Sequence, residues 1–258
     1  MTYKPSWFKS PINLPERRSG HMKIRHRILP AGSEVRIIGQ RQAILRGIPP
    51  VVAELERATR IHELVEDGVG IWMTDLPEEL NQIAEMLYAV DPRGRVLVGG
   101  LGLGILAKTV AARRGVTDVL VVEHSADVIT LCKSRGYRIQ KDDIAAFLRY
   151  HVEPFDYYLL DTWAGTNEGT WWETVMPLIR IIRNRFGRKP VIHCWAEDIM
   201  AGQVFRTMVT QPPHWYYKAL PMPMNKTAAA RFLRDVGLPE WENEFGAAVN
   251  IASKHPGD

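Results

Sequence analysis

Near its middle the chain reads Val96-Leu97-Val98-Gly99-Gly100-Leu101-Gly102-Leu103-Gly104, three apolar residues followed by a glycine-rich turn. Helical periodicity follows over residues 105–113, so the turn connects a buried strand to a helix. Alternate glycines let the backbone approach a ligand closely, and the amides that open a helix attract polar or anionic groups. We therefore predict a strand-turn-helix unit that binds a ligand and is lined by Gly99, Gly100, Gly102 and Gly104.

Glu123 ends the next predicted strand, about 20 residues beyond the glycines. A carboxylate in this position is placed to accept hydrogen bonds from both hydroxyls of a ribose. The stretch Gly102-Leu103-Gly104-Ile105-Leu106-Ala107 also satisfies the dinucleotide pattern G-x-G-x-x-A. These two features indicate a nucleoside cofactor and leave a nicotinamide dinucleotide as an alternative.

Carboxylates also end the third and fourth predicted strands of this region. Asp142 and Asp143 follow the third strand, where one of them accepts a hydrogen bond from an adenine amino group and the other caps the next helix. Asp161 ends the fourth strand. Because the carboxyl ends of parallel strands meet at one edge of a sheet, we expect Glu123, Asp143 and Asp161 to converge on one crevice.

The alternation of strands and helices predicts an α/β fold with a mostly parallel, doubly wound sheet, and residues 76–258 form this domain. Residues 20–75 hold short β segments separated by turn signals, including Asp67-Gly68, and predict a small β-rich N-terminal domain. Residues 1–19 are rich in Pro, Lys and Arg without periodicity, which predicts a flexible N-terminal arm.

A helix is predicted over residues 75–90, between the small β domain and the glycine-rich turn. Pro77 falls in its first turn, where proline is well tolerated. Thr74 or Asp75 is the predicted N-cap, because both side chains can accept a hydrogen bond from a free amide of the first turn.

The composition is that of a globular protein with a core: 46% of the 258 residues are hydrophobic. No apolar run reaches the roughly 18 residues that cross a bilayer, and the first residues lack a secretion signal, so we expect a cytoplasmic protein without membrane contact. Cys132 and Cys194 lack paired spacing, so we expect buried thiols and no metal. A net charge of +4 is compatible with a nucleic-acid partner, although the basic residues between 17 and 27 are interpreted as a solvated strand face.

These motifs resemble the class I S-adenosylmethionine-dependent methyltransferases, and more closely the spermidine-synthase-like branch of that fold. The resemblance is carried by residues 64–68 and 72–75, by the glycine turn with residues 121–123 and 128–129, and by Asp143 with residues 147–148 and 155–161. It implies a Rossmann-like core and S-adenosylmethionine as the cofactor. The implied contacts are Gly100, Gly102 and Gly104 with the methionine and ribose portions, Glu123 with the ribose, Asp143 with the adenine amino group, and Asp161 with the reacting end.

The predicted site extends to the neighbours of these residues. The cofactor side also contains His124, Asp142, Ile144 and Thr162. Asp161 is the predicted catalytic residue, which orients or deprotonates an amine acceptor. The predicted acceptor pocket consists of Trp163, Thr166, Trp171 and Trp72. The rings of Trp163, Trp171 and Trp172 either form a wall for a flat or apolar acceptor or pack the loop and its following helix.

Two departures separate this sequence from the aminopropyltransferases of that branch. The loop after Asp161 supplies no second aspartate, and the helix after the hairpin reads Asn81-Gln82-Ile83-Ala84-Glu85, without the tyrosine and histidine that such enzymes place there. These departures favour methyl transfer to a small-molecule or nucleotide acceptor over aminopropyl transfer from decarboxylated S-adenosylmethionine. A non-catalytic cofactor-binding module is a further alternative, and a homodimer is compatible with the sequence.

Overall fold

The computed structural model describes residues 10–38, 49–163, 170–196 and Met200. The chain divides into two compact units, of which the first comprises residues 1–164 and 188–195 and the second comprises residues 165–187 and 196–258. All of the described strands lie in the first unit. The division predicted from the sequence, after residues 19 and 75, stays a prediction.

The first unit begins with antiparallel β structure. Its strands are β1 (Arg17–Ser19), β2 (Met22–Leu29), β3 (Glu34–Ile38), β4 (Val51–Glu54), β5 (Thr59–Glu66) and β6 (Gly70–Thr74). Four of them form a sheet in the order β1-β2-β5-β6, and β3 pairs with β4. The predicted hairpin turn at Asp67-Gly68 joins β5 to β6, where the Val69 amide donates to the Glu66 carbonyl at 3.3 Å. A β segment predicted at residues 43–45 lies outside the described residues.

Residues 10–19 belong to this β structure, although the sequence predicts a flexible arm there. Strand β1 pairs with β2, and the side chains of Ile12 and Leu14 are buried. The Leu14 amide donates to Nε2 of His62 at 3.4 Å, and the Leu14 carbonyl accepts from Nε2 of His26 at 2.7 Å. The described part of the predicted arm is therefore docked, because both its apolar side chains and its backbone polar groups find partners.

Helix α1 (Pro77–Val90) follows β6. Its N-cap is Leu76, which makes no side-chain capping bond, so the predicted capping role of Thr74 or Asp75 is wrong. The buried Asp75 carboxylate is instead engaged by His62, whose backbone amide and Nδ1 both lie 2.7 Å from its oxygens. Asp75 therefore accepts hydrogen bonds from His62, on a neighbouring strand, and not from the amides of the helix that follows it.

Five parallel strands form the main sheet: β7 (Gly94–Gly99), β8 (Val116–Glu123), β9 (Arg138–Lys141), β10 (Tyr157–Leu160) and β11 (Val191–Cys194). Their order is β9-β8-β7-β10-β11, so the chain runs outward from β7 on one side and then returns to its other side. Val96, Leu97 and Val98 of the central strand are 0% exposed, which is typical of a strand covered on both faces. This order is that of the first five strands of the doubly wound fold, and it confirms the predicted Rossmann-like core.

Three short helices follow the first three strands of this sheet: α2 (Ile105–Ala111), α3 (Ala126–Cys132) and α4 (Ile144–Tyr150). Residues from the sheet, α2 and α3 share one core with residues of the N-terminal sheet and of α1, including Val98, Val110, Leu131, Ile24 and Leu87. Cys132 and Cys194 are both buried, and burial raises the pKa of the Cys132 thiol to about 12. Both cysteines therefore act as small apolar side chains, as predicted.

The described part of the second unit is one helical stretch. It starts with a π-helical turn, Trp171–Val175, and continues as α5 (Met176–Phe186). Its buried side chains include Trp171, Val175, Ile179 and Ile182. No helix in the described ranges is both long enough and apolar enough to span a membrane.

Candidate functional site

The carboxyl edge of the main sheet carries the residues that the sequence singles out. The glycine turn follows β7, and Asp161 follows β10, the neighbouring strand on the side to which the chain returns. Glu123 ends β8 and Asp142 follows β9, on the other side of β7. In open α/β sheets, ligands bind at the carboxyl ends of the strands where the strand order reverses. The fold thus places the predicted carboxylates at the edge where a ligand is expected.

The glycine turn is held tightly by other parts of the protein. Gly100 has φ of +89°, and a Cβ atom on it would lie 2.0 Å from the backbone oxygen of Asp161. A Cβ atom on Gly102 would lie 2.5 Å from Sδ of Met73, and one on Gly104 would lie 2.8 Å from the Tyr137 hydroxyl. These neighbours leave no room for a side chain at Gly100, Gly102 or Gly104. Contacts within the protein therefore account for these glycines, whereas the sequence suggests the close approach of a ligand.

Glu123 connects the glycine turn to the loop after β8. Its Oε2 accepts from the Leu101 amide at 2.9 Å, and its Oε1 accepts from the Ser125 amide at 2.7 Å. Nδ1 of the exposed His124 lies 3.2 Å from the same Oε1. An ionised carboxylate has about four lone-pair positions, so two backbone amides leave Glu123 able to accept further hydrogen bonds. This capacity fits the predicted role toward ribose hydroxyls.

The two aspartates after β9 have separate roles. Asp143 is the N-cap of α4, and its Oδ1 accepts from the Ala146 amide at 2.8 Å. Asp142 accepts from the Asp143 amide at 2.8 Å and from the Tyr150 hydroxyl. Ile144 is buried, and its Cγ1 would lie 3.4 Å from a Cβ atom on Gly99. Of the two roles predicted for this pair, helix capping belongs to Asp143.

The loop after β10 contains buried polar groups. The Asp161 amide donates to the Gly99 carbonyl at 2.8 Å. Burial raises the pKa of the Asp161 carboxyl to about 7. Oγ1 of Thr162 and Nε1 of Trp163 are buried, and neither has a hydrogen-bond partner in the part of the chain that the structure describes. Leaving a buried polar atom unpaired costs about 1–3 kcal/mol, so this loop fits a place where a polar ligand supplies the partners.

Glu79, in the first turn of α1, is a further carboxyl group on which the charge of Asp161 acts, and the sequence did not predict it. Burial raises the pKa of Glu79 to about 8, and the negative charge of Asp161 is the next largest cause. Glu78 and Asp75 also raise the pKa, and a hydrogen bond with the Thr74 backbone opposes them. Acidic residues are common in the first turn of a helix, where they face its positive end, so nothing in the sequence marked Glu79 as special.

Contacts on both sides of Glu79 explain its position. Before it in the chain, Sδ of Met73 accepts from the Leu103 amide of the glycine turn at 3.3 Å. After it, Oε1 of Gln82 accepts from Nε1 of Trp195, just beyond β11, at 3.0 Å. Residues 79 and 82 are three apart and share one face of α1. This face of α1 therefore lies toward the carboxyl edge of the main sheet.

The structure does not bring the whole predicted acceptor pocket together. Trp72 is 47% exposed on β6, where its Nε1 donates to Glu66, whereas its neighbour Met73 contacts the glycine turn. The pairing of β6 with β5 shifts register here, since Leu64 pairs with Met73 and Val65 with Ile71, which leaves Trp72 without a partner residue in the ladder. Trp171 is buried within the second unit, and Thr166 lies outside the described residues. Within the described ranges, no group of three or more His, Cys, Asp or Glu side chains is arranged to hold a metal ion.

Four of the basic residues near the N-terminus, Arg18, Lys23, Arg25 and Arg27, are paired with acidic residues. Nζ of Lys23 lies 3.0 Å from Asp67, which also pairs with Arg18. Nε of Arg27 lies 2.8 Å from the buried Glu63, which also pairs with Arg25. These pairs agree with the interpretation of the basic stretch as a strand face.

Comparison of the sequence finds no matching protein family and no matching curated protein. Solved structures with a similar fold include YjhP from E. coli, at 13% identity and a TM-score of 0.36, covering 67% of this chain and 84% of that chain. Precorrin-8W decarboxylase from Methanobacterium thermoautotrophicum has 15% identity and a TM-score of 0.35, covering 60% and 70%. Spermidine synthase from Thermotoga maritima has 12% identity and a TM-score of 0.33, covering 63% of this chain and 62% of its own. Similarity at this level says nothing about the reaction.

Proposed function

We propose that the chain is an S-adenosylmethionine-dependent methyltransferase that acts on a small-molecule acceptor. The proposal depends mainly on how three loops meet where the strand order reverses. The Leu101 amide of the glycine turn donates to Glu123 after β8, and Gly100 of the same turn packs on the backbone of Asp161 after β10. The first unit has a Rossmann-like fold of the class I methyltransferase type, because its parallel strands follow that order. A nucleoside cofactor fits a junction that presents a carboxylate on one side and unpaired polar atoms on the other.

The residues present match the parts of such a cofactor. Glu123 would accept from the ribose hydroxyls, and Asp142 is the carboxylate offered to the adenine amino group because Asp143 caps α4. The unpaired Thr162 hydroxyl would bond a polar group of the cofactor. Bound S-adenosylmethionine supplies an electrophilic methyl group on a sulfonium centre. The protein contributes by orienting the acceptor and excluding water.

Asp161 is proposed as the group that takes the proton from the acceptor. Its pKa of about 7 is close to neutral pH, where a carboxyl group both exists as the base and holds a proton well once it has accepted one. An ordinary aspartate, with a pKa near 3.9, is a far weaker base. The burial that raises the pKa of Asp161 therefore prepares it for proton transfer.

A small-molecule acceptor is preferred over nucleic acid because the basic residues of the N-terminal sheet are already paired with Asp67 and Glu63. Phosphate contacts require cations that are free to neutralise the backbone of the nucleic acid. We place the enzyme in the cytosol, where buried thiols such as those of Cys132 and Cys194 stay reduced.

An aminopropyltransferase is the second candidate, and Glu79 is the observation that favours it. The sequence argues against this activity because the loop after Asp161 has no second aspartate. Glu79 supplies a second carboxyl group to the same site from α1. A site with two carboxyl groups is compatible with methyl transfer and with aminopropyl transfer. The cofactor that the chain binds distinguishes the two reactions.

Calorimetric titration of the full chain with four ligands tests these proposals. The ligands are S-adenosylmethionine, S-adenosylhomocysteine, decarboxylated S-adenosylmethionine and NAD. We expect the first two to bind and NAD not to bind. A clear preference for the decarboxylated compound would establish the second candidate, and selective binding of NAD would refute both.

A further inference from the structure

Residues 10–16, here called the strap, lie against the N-terminal sheet without pairing as a strand. Ile12 and Leu14 of the strap are buried in the same core as Ile24 of β2 and Leu64 of β5. Apolar packing therefore holds these two side chains. The backbone of Leu14 also needs hydrogen-bond partners, and within the described residues it does not obtain them from a neighbouring strand.

Two histidine rings bind the backbone of Leu14 instead. Nε2 of His62, on β5, accepts from the Leu14 amide at 3.4 Å. Nε2 of His26, on β2, lies 2.7 Å from the Leu14 carbonyl and donates to it, because a carbonyl oxygen can only accept. The two rings meet edge to face, with their centroids 4.9 Å apart. Docking of the strap thus requires one ring nitrogen without a proton and another with one.

Asp75 fixes the protonation pattern of the His62 ring. Nδ1 of His62 lies 2.7 Å from Oδ2 of Asp75, so the neutral ring carries its proton on Nδ1 and leaves Nε2 as an acceptor. An imidazolium carries a proton on both nitrogens, and its Nε2–H would point at the N–H of Leu14. His62 is 3% exposed, and two buried donors that face each other both lose their partner.

We infer that the strap is docked only while His62 is neutral, and that protonation of His62 releases residues 10–16 from the N-terminal sheet. This inference does not depend on the proposed cofactor or reaction. The released form binds one proton more than the docked form, so release is favoured as pH falls. Histidine is the side chain whose charge ordinarily changes between pH 5 and pH 8. The Nδ1–H of His62 donates to Asp75 in both states and does not oppose the change.

The elements around His62 carry other groups that respond to pH or carry charge. They are Asp75 before α1, Glu78 and Glu79 on α1, His26 on β2, Glu16 in the strap, and Arg60 and Glu63 on β5 itself. A charged His26 keeps its donor to Leu14 and repels a charged His62, so it acts in the same direction. Burial raises the pKa of Glu79 to about 8, so this group also gains a proton as pH falls, and a variant has to separate its effect.

Hydrogen exchange of the full chain, followed by mass spectrometry at pH 8 and pH 5.5, tests the inference. Protection is expressed relative to an unstructured peptide of the same sequence at the same pH. We expect the protection of residues 10–16 to fall at least fivefold from pH 8 to pH 5.5. Residues 94–99 of β7 should keep or gain protection, which separates release of the strap from unfolding of the whole protein. A strap equally protected at both pH values would overturn the inference.

Three variants assign the pH response to one ring. His62→Gln has no charge at either pH, so the protection of the strap should differ less than twofold between them. His26→Gln is the matched control, because its side-chain amide can still donate to the Leu14 carbonyl, and it should keep at least a threefold fall. Glu79→Gln should keep the fivefold fall.

Circular dichroism establishes that each variant is folded, and comparing two pH values within one variant removes differences in their stability. A fall that persists in His62→Gln, or one that disappears in His26→Gln or Glu79→Gln, would assign the response to another group and overturn the inference. If His62→Gln does not fold, the pH response of the parent and of the two other variants decides.

Discussion

A Cβ atom on Gly100 would lie 2.0 Å from the backbone oxygen of Asp161, so the turn after β7 and the loop after β10 touch backbone to backbone. The Asp161 amide also donates to the Gly99 carbonyl, at 2.8 Å. These two contacts place the carboxyl group proposed for catalysis directly beside the turn proposed to hold the cofactor. The geometry of the site therefore depends on a glycine as much as on the charged residues.

Gly100→Ala should destabilise the protein by about 2–5 kcal/mol, combining about 1–2 kcal/mol for a left-handed backbone with about 1–3 kcal/mol for overpacking. Urea unfolding measures this loss. Gly68→Ala is the control, since Gly68 also has positive φ, +77°, but nothing lies within 4 Å of the added atom. The control should lose only the backbone part, and equal losses in both variants would show that the contact with Asp161 is unimportant.

Asp75→Ala should cost about 2–5 kcal/mol, because it leaves the amide and Nδ1–H of His62 buried without acceptors. His62 also accepts from the Leu14 amide, so residues 10–16 should become more sensitive to limited proteolysis in the variant. Glu153→Ala removes an exposed carboxylate that pairs with Arg95 and should change stability by less than about 1 kcal/mol. A variant as stable as the parent would contradict the buried role of Asp75.

Glu79→Gln should raise the melting temperature at pH 8.5 and leave it nearly unchanged at pH 5. The folded-state pKa values of Glu79 and Asp161, about 8 and about 7, lie above the ordinary values of these groups, 4.5 and 3.8. The folded state therefore binds more protons than the unfolded state between about pH 5 and pH 8, and stability falls as pH rises through this window. Thermal unfolding of parent and variant across the window measures the difference, and parallel curves would contradict the raised pKa of Glu79.

The sequence predicted the parts of the site that depend on local pattern. The glycine turn follows an apolar strand, and Glu123 ends the next one, so the parallel order of the strands brings them to one edge. The sequence also predicts a helix after Asp143, capped by either Asp142 or Asp143, and Asp143 is the N-cap in the structure. These features lie within a few residues of the strand ends that position them.

The features that the sequence did not predict depend on contacts distant in the chain. Glu79 is distinguished from other acidic residues only because the charge of Asp161 acts on it and raises its pKa. Its position depends on the packing of α1 near the end of β11, where Gln82 accepts from Trp195. Asp75 failed as a predicted cap because His62, on a neighbouring strand, binds both of its oxygens. Trp72 falls at an irregularity in the pairing of β5 with β6, and its neighbour Met73 contacts the glycine turn.

Calorimetric titration with S-adenosylhomocysteine, comparing the parent chain with Glu123→Ala, tests the central claim most directly. The claim predicts that the parent binds and that the variant loses at least tenfold in affinity, because hydrogen bonds to a charged group contribute about 1.5–3 kcal/mol. Asp118→Ala, on the same strand and paired with Arg138 away from the carboxyl edge, should bind as the parent does. Absence of binding to the parent, or equal affinity in the Glu123 variant, would contradict a nucleoside-cofactor site at this edge of the sheet.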